Sequence, residues 1–352
     1  MGDKQAPPLS ADPASQKTFT IGTRKSKLAL LQTDLVLAAL KERYPDYDFR
    51  IHSRETAGDQ NTTIALREFT SKNLWTQELE DLLVAGQVDL IVHSLKDVPT
   101  LLPPTCTLGP MMRREDSRDV LVIKKGLPNM TLAEMPAGSV VGTSSIRRTA
   151  QLARKYPHLK VKDVRGNIGT RLSKLDAEDS PYTCLILAAA GLLRLGLGDR
   201  IFQYLESKNG GMLYAVGQGA LGIEIRKDDK VMEDMLRGIG HDKTTFASLA
   251  ERSLLRFLEG GCSAPLGVET EWVQDTDVSS KLRMRAIVVS VDGSESAEVE
   301  VDGSVGSSQS AEEFGITVAK ALVAKGADKI LEEIQRNKQP QLKIPVSEST
   351  AS

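Results

Sequence analysis

Six arginines stand at points where a helix would begin or an apolar run would end: Arg24, Arg147, Arg148, Arg165, Arg171 and Arg194. Basic side chains oppose the backbone dipole at a helix N-terminus. Their repetition there makes sense if an anion also docks on the free backbone N–H groups. Guanidinium forks grip carboxylates bidentately. Any one of these arginines reads most simply as part of a solvated basic face. The set, placed at strand-to-helix junctions where α/β folds bind ligands, points to a ligand carrying several carboxylates or phosphates. Gly142-Thr143-Ser144-Ser145 and Gly166-Asn167 add small backbone donors.

His93-Ser94-Leu95-Lys96-Asp97-Val98-Pro99 follows directly on an apolar strand, which stands its polar groups at a carboxyl edge of the sheet. Asp97 beside Lys96 is either a structural ion pair or an acid/base and cation-stabilising group. Of the three cysteines, Cys184 lies inside an apolar run and Cys106 has no activating neighbour. Cys262, between Gly260-Gly261 and Ser263-Ala264-Pro265, sits on an uncrowded loop that a bulky group can approach, although loop thiols are often inert. There is no CxxC or HExxH, and four histidines are scattered, so the pattern predicts no metal. The glycine-punctuated stretch from Tyr214 to Glu224 lacks dinucleotide-binding spacing and fits a return crossing or hinge.

These residues are embedded in 352 residues with 45 Lys+Arg against 47 Asp+Glu, a formal charge of -2. That balance offers no basic excess for nucleic acid or an anionic membrane, and 4% aromatics argue against a base-stacking surface. No apolar run approaches a membrane span. The N-terminus has no apolar signal core and fits the myristoylation pattern poorly. A soluble, cytoplasmic protein is expected.

The elements that must position the site alternate. After a Pro/Ala/Ser-rich tail over 1–16, expected to be disordered, a strand at Phe19–Gly22 leads into a helix ended by Pro45. FRIHS reads as a strand, LWTQELEDLLVAG as a helix closed by Gly86 and VDLIVHS as a buried strand. MMRREDSRD reads as a domain crossing. DVLVI, SVVGT and VKDVRG follow as strands, with helices over TSSIRRTAQLARKYP and NIGTRLSKLD, and YTCLILAAAGLLRLG is a strand running into a helix. Ile21-Gly-Thr-Arg-Lys-Ser is echoed by Val141-Gly-Thr-Ser-Ser-Ile-Arg-Arg, as two α/β lobes with matching helix starts would give; the echo is short. The last third holds a helix ending at Gly260, a hairpin turning at Asp292-Gly293, and one final helix over Ala311–Arg336. The expected organisation is an α/β lobe over 17–114 and 217–238, a second over 115–216 and a smaller α+β domain over 239–352.

GTRKSKLALLQ, VDLIVHSLKDVPT, VGTSSIRRTAQL, VRGNIGTRL, YAVGQGALGIE and AERSLLRFLEGGCSAPLG occur in that order. In these motifs, spread over about 18–336, the chain resembles the porphobilinogen deaminase (hydroxymethylbilane synthase) family of tetrapyrrole biosynthesis. The resemblance implies two lobes like type II periplasmic binding proteins, plus a third domain carrying a cofactor cysteine. It implies that Cys262 holds a dipyrromethane primer through a thioether. Four porphobilinogen molecules are then added head to tail with loss of ammonia through an azafulvene cation, and hydroxymethylbilane is released by water. The implied catalytic residues are Asp97, Lys96 and Arg24. Lys96, Asp97, Thr143, Ser144, Ser145, Arg147, Arg148, Arg165, Gly166, Arg171, Arg194 and Gln218 are implied to bind the cofactor with Cys262. The implied substrate contacts are Arg24, Ser26, Gln32, Trp75, Arg165, Asn167 and Arg171. No metal, nucleic acid or membrane is implied, and a monomer is expected. Gly217 and Gly219 are candidate hinges, and Asp59–Asn73 a candidate lid. The family's L-F-x-K-E-L-E reads Leu74-Trp75-Thr76-Gln77-Glu78-Leu79-Glu80 here, so the lysine contact is not carried over to Gln77. A two-lobed anion-binding protein without catalysis, or an enzyme using Cys262 as an ordinary nucleophile, are the competing readings.

Overall fold

Thr18–Arg24 forms strand β1, in which Phe19, Ile21 and Thr23 are buried. In the computed structural model, which describes residues 18–55, 76–258, 264–276 and 279–338, helix α1 (Lys27–Arg43) follows at once. Ser26 caps α1, its Oγ accepting the Ala29 N–H at 3.3 Å. Ala29, Gln32, Thr33, Val36 and Leu40 make its buried stripe. Pro45 stands two residues past the helix, where it cannot continue it. β2 (Asp48–Arg54), α2 (Gln77–Val84), β3 (Leu90–Ser94) and β4 (Cys106–Leu108) complete the first run. Gly86 at φ +69° closes α2, a left-handed geometry that favours glycine.

The chain then leaves this sheet and builds a second: β5 (Asp119–Ile123), β6 (Val140–Gly142), α3 (Ile146–Lys155), β7 (Lys160–Lys162), α4 (Ile168–Asp176), β8 (Cys184–Ala188), α5 (Ala189–Arg194) and β9 (Gln203–Leu205). It returns through 206–220 to lay β10 (Leu221–Arg226) into the first sheet, followed by α6 (Lys230–Arg237). The sheet orders are β2-β1-β3-β10-β4 and β7-β6-β8-β5-β9. In each, three strands run parallel and the fourth and fifth positions are antiparallel to their neighbours. The two α/β lobes therefore share one topology, and each contains a strand delivered by a crossing from the other. The echoed segments occupy equivalent places: β1–α1 and β6–α3 are both second in order, each ending in a Gly-Thr with a buried threonine (Thr23 and Thr143).

The smaller α+β unit is an antiparallel sheet of β11 (Leu266–Thr276), β12 (Ser279–Val289) and β13 (Ser296–Ser304). It packs on α7 (Asp242–Phe257), α8 (Ser308–Ala324) and α9 (Ala327–Lys338) through Leu254, Val268, Met284, Phe314, Val318 and Ile330. Two local expectations are corrected. The final helix is two helices, because Gly326 takes φ +92° and ends α8. The strand expected through Gly166 stops at Lys162, where its partner strand β6 also ends at Gly142. The hairpin turn does fall at Asp292-Gly293, with Asp292 Oδ1 accepting the Ser294 N–H and Gly293 at φ +78°. Among the described residues no helix is long and apolar enough to cross a membrane.

Candidate active site

At the carboxyl end of β3 the chain turns through one 3-10 turn, Leu95–Asp97. Leu95 is buried, and its N–H donates to the Ala220 carbonyl at 3.0 Å, fastening the turn to the return crossing. Lys96 and Asp97 are half-buried and project from this sheet edge. Burial pushes the Lys96 ammonium down from its usual value; Asp97 and Asp119 oppose that fall, and Arg148 and Arg147 add to it. Lys96, from the first lobe, therefore lies within electrostatic reach of an arginine pair from the second. Arg171 is lowered by burial first and by Arg148 next, with Asp163 and Asp97 opposing and Arg165 adding. Arg171 is thus within electrostatic reach of Asp97 from the first lobe and of Arg148 and Arg165 from its own. His93 is engaged elsewhere, its Nε2 3.1 Å from Glu224 Oε2, both buried.

Arg147 and Arg148 stand in the first turn of α3, and the anion they meet is internal. Asp119, the first residue of β5, is fully buried; its Oδ2 accepts from Arg147 Nη1 at 2.8 Å and its Oδ1 from Arg148 Nη2 at 2.7 Å. Gln218 Nε2 donates to the same Oδ1 at 2.9 Å and to the Ser117 carbonyl at 2.8 Å. Arg148 also donates to the Ile186 carbonyl at 2.7 Å, and Arg147 to that of Leu213. Burial alone would raise the Asp119 carboxyl, but the two guanidiniums hold it well below the usual carboxylate range. Among the described residues Arg147 Nε, Arg148 Nε, Arg194 Nε and Gln218 Oε1 are buried without a hydrogen-bond partner. Asp119 was not singled out from the sequence; a lone carboxylate opening an otherwise apolar strand is the signal that could have found it.

The backbone around this pair is held by its own polar side chains. Thr143 is buried and its Oγ1 accepts the Ser145 N–H at 3.2 Å, while Ser144 Oγ donates to the Val164 carbonyl at 2.6 Å. Ser145 takes the N-cap position of α3 without a side-chain capping bond. Arg165 Nε donates to Asp163 Oδ2 at 2.9 Å, and Arg171 Nε to the Gly166 carbonyl at 2.7 Å. A Cβ on Gly166 would stand 2.7 Å from Thr170 Cγ2, so glycine is required there. Asn167 caps α4, Oδ1 accepting the Thr170 N–H at 2.8 Å. Arg194 Nη2 donates to the Gly219 carbonyl at 2.7 Å.

Of the expected substrate contacts, Arg24 ends β1 and is half-buried, and Ser26 is spent as the α1 cap. Gln32 is buried with its Nε2 donating to Ser94 Oγ at 2.8 Å, so its amide braces the end of β3. Gln77 is exposed, its Nε2 donating to Asp81 Oδ1 at 3.1 Å. Trp75, Cys262 and the candidate lid Asp59–Asn73 lie outside the described residues. Among the described residues no group of His, Cys, Asp or Glu could hold a metal ion.

A second buried node binds both crossings to the smaller unit. Arg114 pairs with Glu251 of α7 at 2.6 and 3.0 Å, and its Nε donates to the Gln218 carbonyl at 2.6 Å. The Gly217 N–H and Thr270 Oγ1 also donate to Glu251, at 2.7 and 2.9 Å. The candidate hinges are tightly packed: a Cβ on Gly219 would stand 2.4 Å from the Glu115 carbonyl oxygen, and one on Gly217 2.8 Å from Leu95 Cγ.

The family model "Porphobilinogen deaminase, dipyromethane cofactor binding domain" matches residues 19–234, and "Porphobilinogen deaminase, C-terminal domain" matches 245–324. Porphobilinogen deaminase of Yarrowia lipolytica is 51% identical over 339 residues, covering 95% of this chain and 98% of its own. Those of Schizosaccharomyces pombe and Saccharomyces cerevisiae are each 49% identical over 323 residues, covering 91% and 90% of this chain and 96% and 97% of their own. Among solved structures, the second substrate binding domain of a putative amino acid ABC transporter from Streptococcus pneumoniae is 13% identical. It covers 63% of this chain and 91% of its own with a TM-score of 0.41. Matched along both family models and at about half identity over nearly its whole length, this chain belongs to the porphobilinogen deaminase family.

Proposed function

We propose that this protein is a hydroxymethylbilane synthase. It joins four porphobilinogen molecules head to tail on a dipyrromethane primer held by Cys262 through a thioether, releasing ammonia each time, and frees hydroxymethylbilane by hydrolysis. The observation that carries the reading is the match along both porphobilinogen deaminase family models; Lys96, in the turn that ends β3, lying within electrostatic reach of the Arg147 and Arg148 pair of the other lobe supports it.

The residues present fit a dipyrromethane. Three of the buried unpartnered atoms are guanidinium N–H donors (Arg147, Arg148 and Arg194), which acetate and propionate carboxylates would satisfy. The fourth, Gln218 Oε1, can accept a ring N–H. When bound, the dipyrromethane supplies the pyrrole carbon to which the first substrate is joined. Arg147, Arg148, Arg165, Arg171 and Arg194, with Thr143, Ser144, Ser145, Gly166 and Gln218, hold carboxylates and orient rings; Asp119 keeps the first two arginines aimed. Each addition turns an aminomethyl ammonium and a pyrrole C–H into a carbon–carbon bond and an ammonium ion. One proton must therefore leave the attacked ring as the amine departs. Asp97, at the sheet edge beside Lys96, is the group placed to balance the positive charge on pyrrole nitrogen and to move that proton. Arg24, Ser26, Gln32, Trp75 and Asn167 are assigned to the incoming substrate, with Gln32 acting through Ser94. The protein is proposed to work as a cytoplasmic monomer without metal.

The intact mass of the purified protein beside that of Cys262→Ser tests this. A wild-type excess equal to two linked pyrrole units, absent in the variant, is expected. Wild-type protein that gains neither adduct nor free ammonia when given porphobilinogen would leave the two-lobed anion-binding reading in its place.

A further inference from the structure

Arg252 of α7 is only 5% exposed, yet among the described residues no carboxylate pairs with it. Its Nη1 donates to the Val98 carbonyl at 3.1 Å and its Nη2 to the Pro99 carbonyl at 2.6 Å. Burial pulls its proton affinity down to about 10, with Arg256 adding to the fall and Glu224, already engaged by His93, opposing it. Burying a guanidinium without a counter-ion is costly, and a well-packed apolar side chain would serve stability as well or better. What Arg252 secures is specific. Val98 and Pro99 are the two residues directly after Asp97; they belong to no strand, and proline has no N–H with which to join one.

The Asp97 turn is thereby clamped at both ends. At its start the Leu95 N–H is bonded to Ala220 on the return crossing, and at its end two carbonyls are bonded to α7. The same helix leads to Cys262, five residues past its last residue Phe257, a stretch that spans at most about 18 Å. We infer that Arg252 is a positioning residue for the synthase reaction, fixing the Asp97 turn relative to the helix that leads to the primer cysteine. The inference rests on the function proposed above. A carboxylate displaced by about an ångström from the reacting ring can cost on the order of 10²-fold in rate. A single arginine tying the turn to α7 would hold that distance through successive additions.

The test compares wild type, Arg252→Met and Arg252→Lys as holoenzymes. All three are expected to carry the primer mass. Arg252→Met should lose on the order of 10²-fold in kcat for ammonia release with little change in KM. Partly elongated enzyme should accumulate in its mass spectrum, and amides from Lys96 to Leu101 should exchange faster while those of α7 do not. Arg252→Lys, keeping the charge and one donor, should recover part of the rate. A loaded Arg252→Met with wild-type kcat, or a rate that falls only as its folded fraction falls with exchange at 96–101 unchanged, overturns the inference. If Arg252→Met does not fold, Arg252→Lys decides: slower turnover with faster exchange at 96–101 supports the inference, and wild-type values in both overturn it. Wild-type protein that neither carries primer nor releases ammonia removes the synthase reading and this inference together. An active wild type beside an unimpaired Arg252 variant removes only the role of Arg252.

Discussion

Replacing Asp119 by asparagine isolates the group on which the Arg147 and Arg148 pair depends. The native carboxylate is fully buried and accepts from Arg147 at 2.8 Å, Arg148 at 2.7 Å and Gln218 at 2.9 Å. Asparagine keeps the shape but removes the charge, and it turns an NH₂ donor toward groups that are themselves donors. Two buried guanidiniums then lack their counter-charge, and stranding one member of a buried pair costs about 3–5 kcal/mol. Against a usual stability of about 5–15 kcal/mol, that is a large share of what holds the second lobe together. The pH dependence has a definite sign. The folded carboxyl is held well below its usual value by the guanidiniums against the effect of burial, so its stabilisation is fully present above the unfolded carboxylate value. It is lost only as pH falls through the lower folded value. Urea unfolding followed by circular dichroism should therefore show a gap between wild type and Asp119→Asn that is constant from about pH 8 down to about pH 5 and closes only in strong acid. The fraction of protein carrying primer, read by intact mass, should fall in the same variant because Arg147 and Arg148 lose their aim. A gap under about 1 kcal/mol, or one that closes near neutrality, would refute the assignment of Asp119 as the counter-ion. A full gap with normal primer loading would show that the buried cluster is structural and the carboxylate-holding role lies with other arginines.

Asp97→Ala should retain the primer mass and lose at least about 10²-fold in ammonia release; wild-type release would take Asp97 out of the mechanism. Glu80 is 3% exposed, with Oε1 lacking a partner among the described residues, and burial, helped by Glu224 and opposed by Thr76, raises its carboxyl. A raised folded value means that stability is present below the ordinary glutamate value and lost as pH rises through the folded one. Glu80→Gln, always neutral, should therefore gain about 1 kcal/mol at pH 7 to 8, shrinking toward about pH 4. A variant less stable than wild type at pH 8 would mean that Glu80 is ionised and paired. Gly219 holds φ +86° with the Glu115 carbonyl oxygen 2.4 Å from any added Cβ, so Gly219→Ala should cost about 1–3 kcal/mol in urea unfolding. An unchanged midpoint would mean that the crossing shifts freely.

What was legible in the amino-acid order was whatever depends on near neighbours. Apolar alternation and helical spacing mark most of the strands and helices of both lobes, and glycine and proline mark several of their ends. The Gly-Thr echo turned out to be two equivalent strand-to-helix junctions, and Asp97 could be placed at a sheet edge because the apolar strand before it ends at Ser94. The ordered motifs identified the family. One helix was drawn where Gly326 makes two, since an isolated glycine inside a periodic stretch does not announce its φ. The roles of Asp119 and Arg252, and the partner of Gln32, were not legible for a different reason: each is defined by a partner remote in sequence. Asp119 meets arginines 28 and 29 positions away and a glutamine 99 away, Gln32 meets Ser94 across 62, and Arg252 meets Val98 across 154. Residue type and spacing specify which groups can ionise, cap or line a face. Which charge meets which is decided only when the chain crosses between the sheets, because a buried charge takes its meaning from the partner that packing puts within about 3 Å of it.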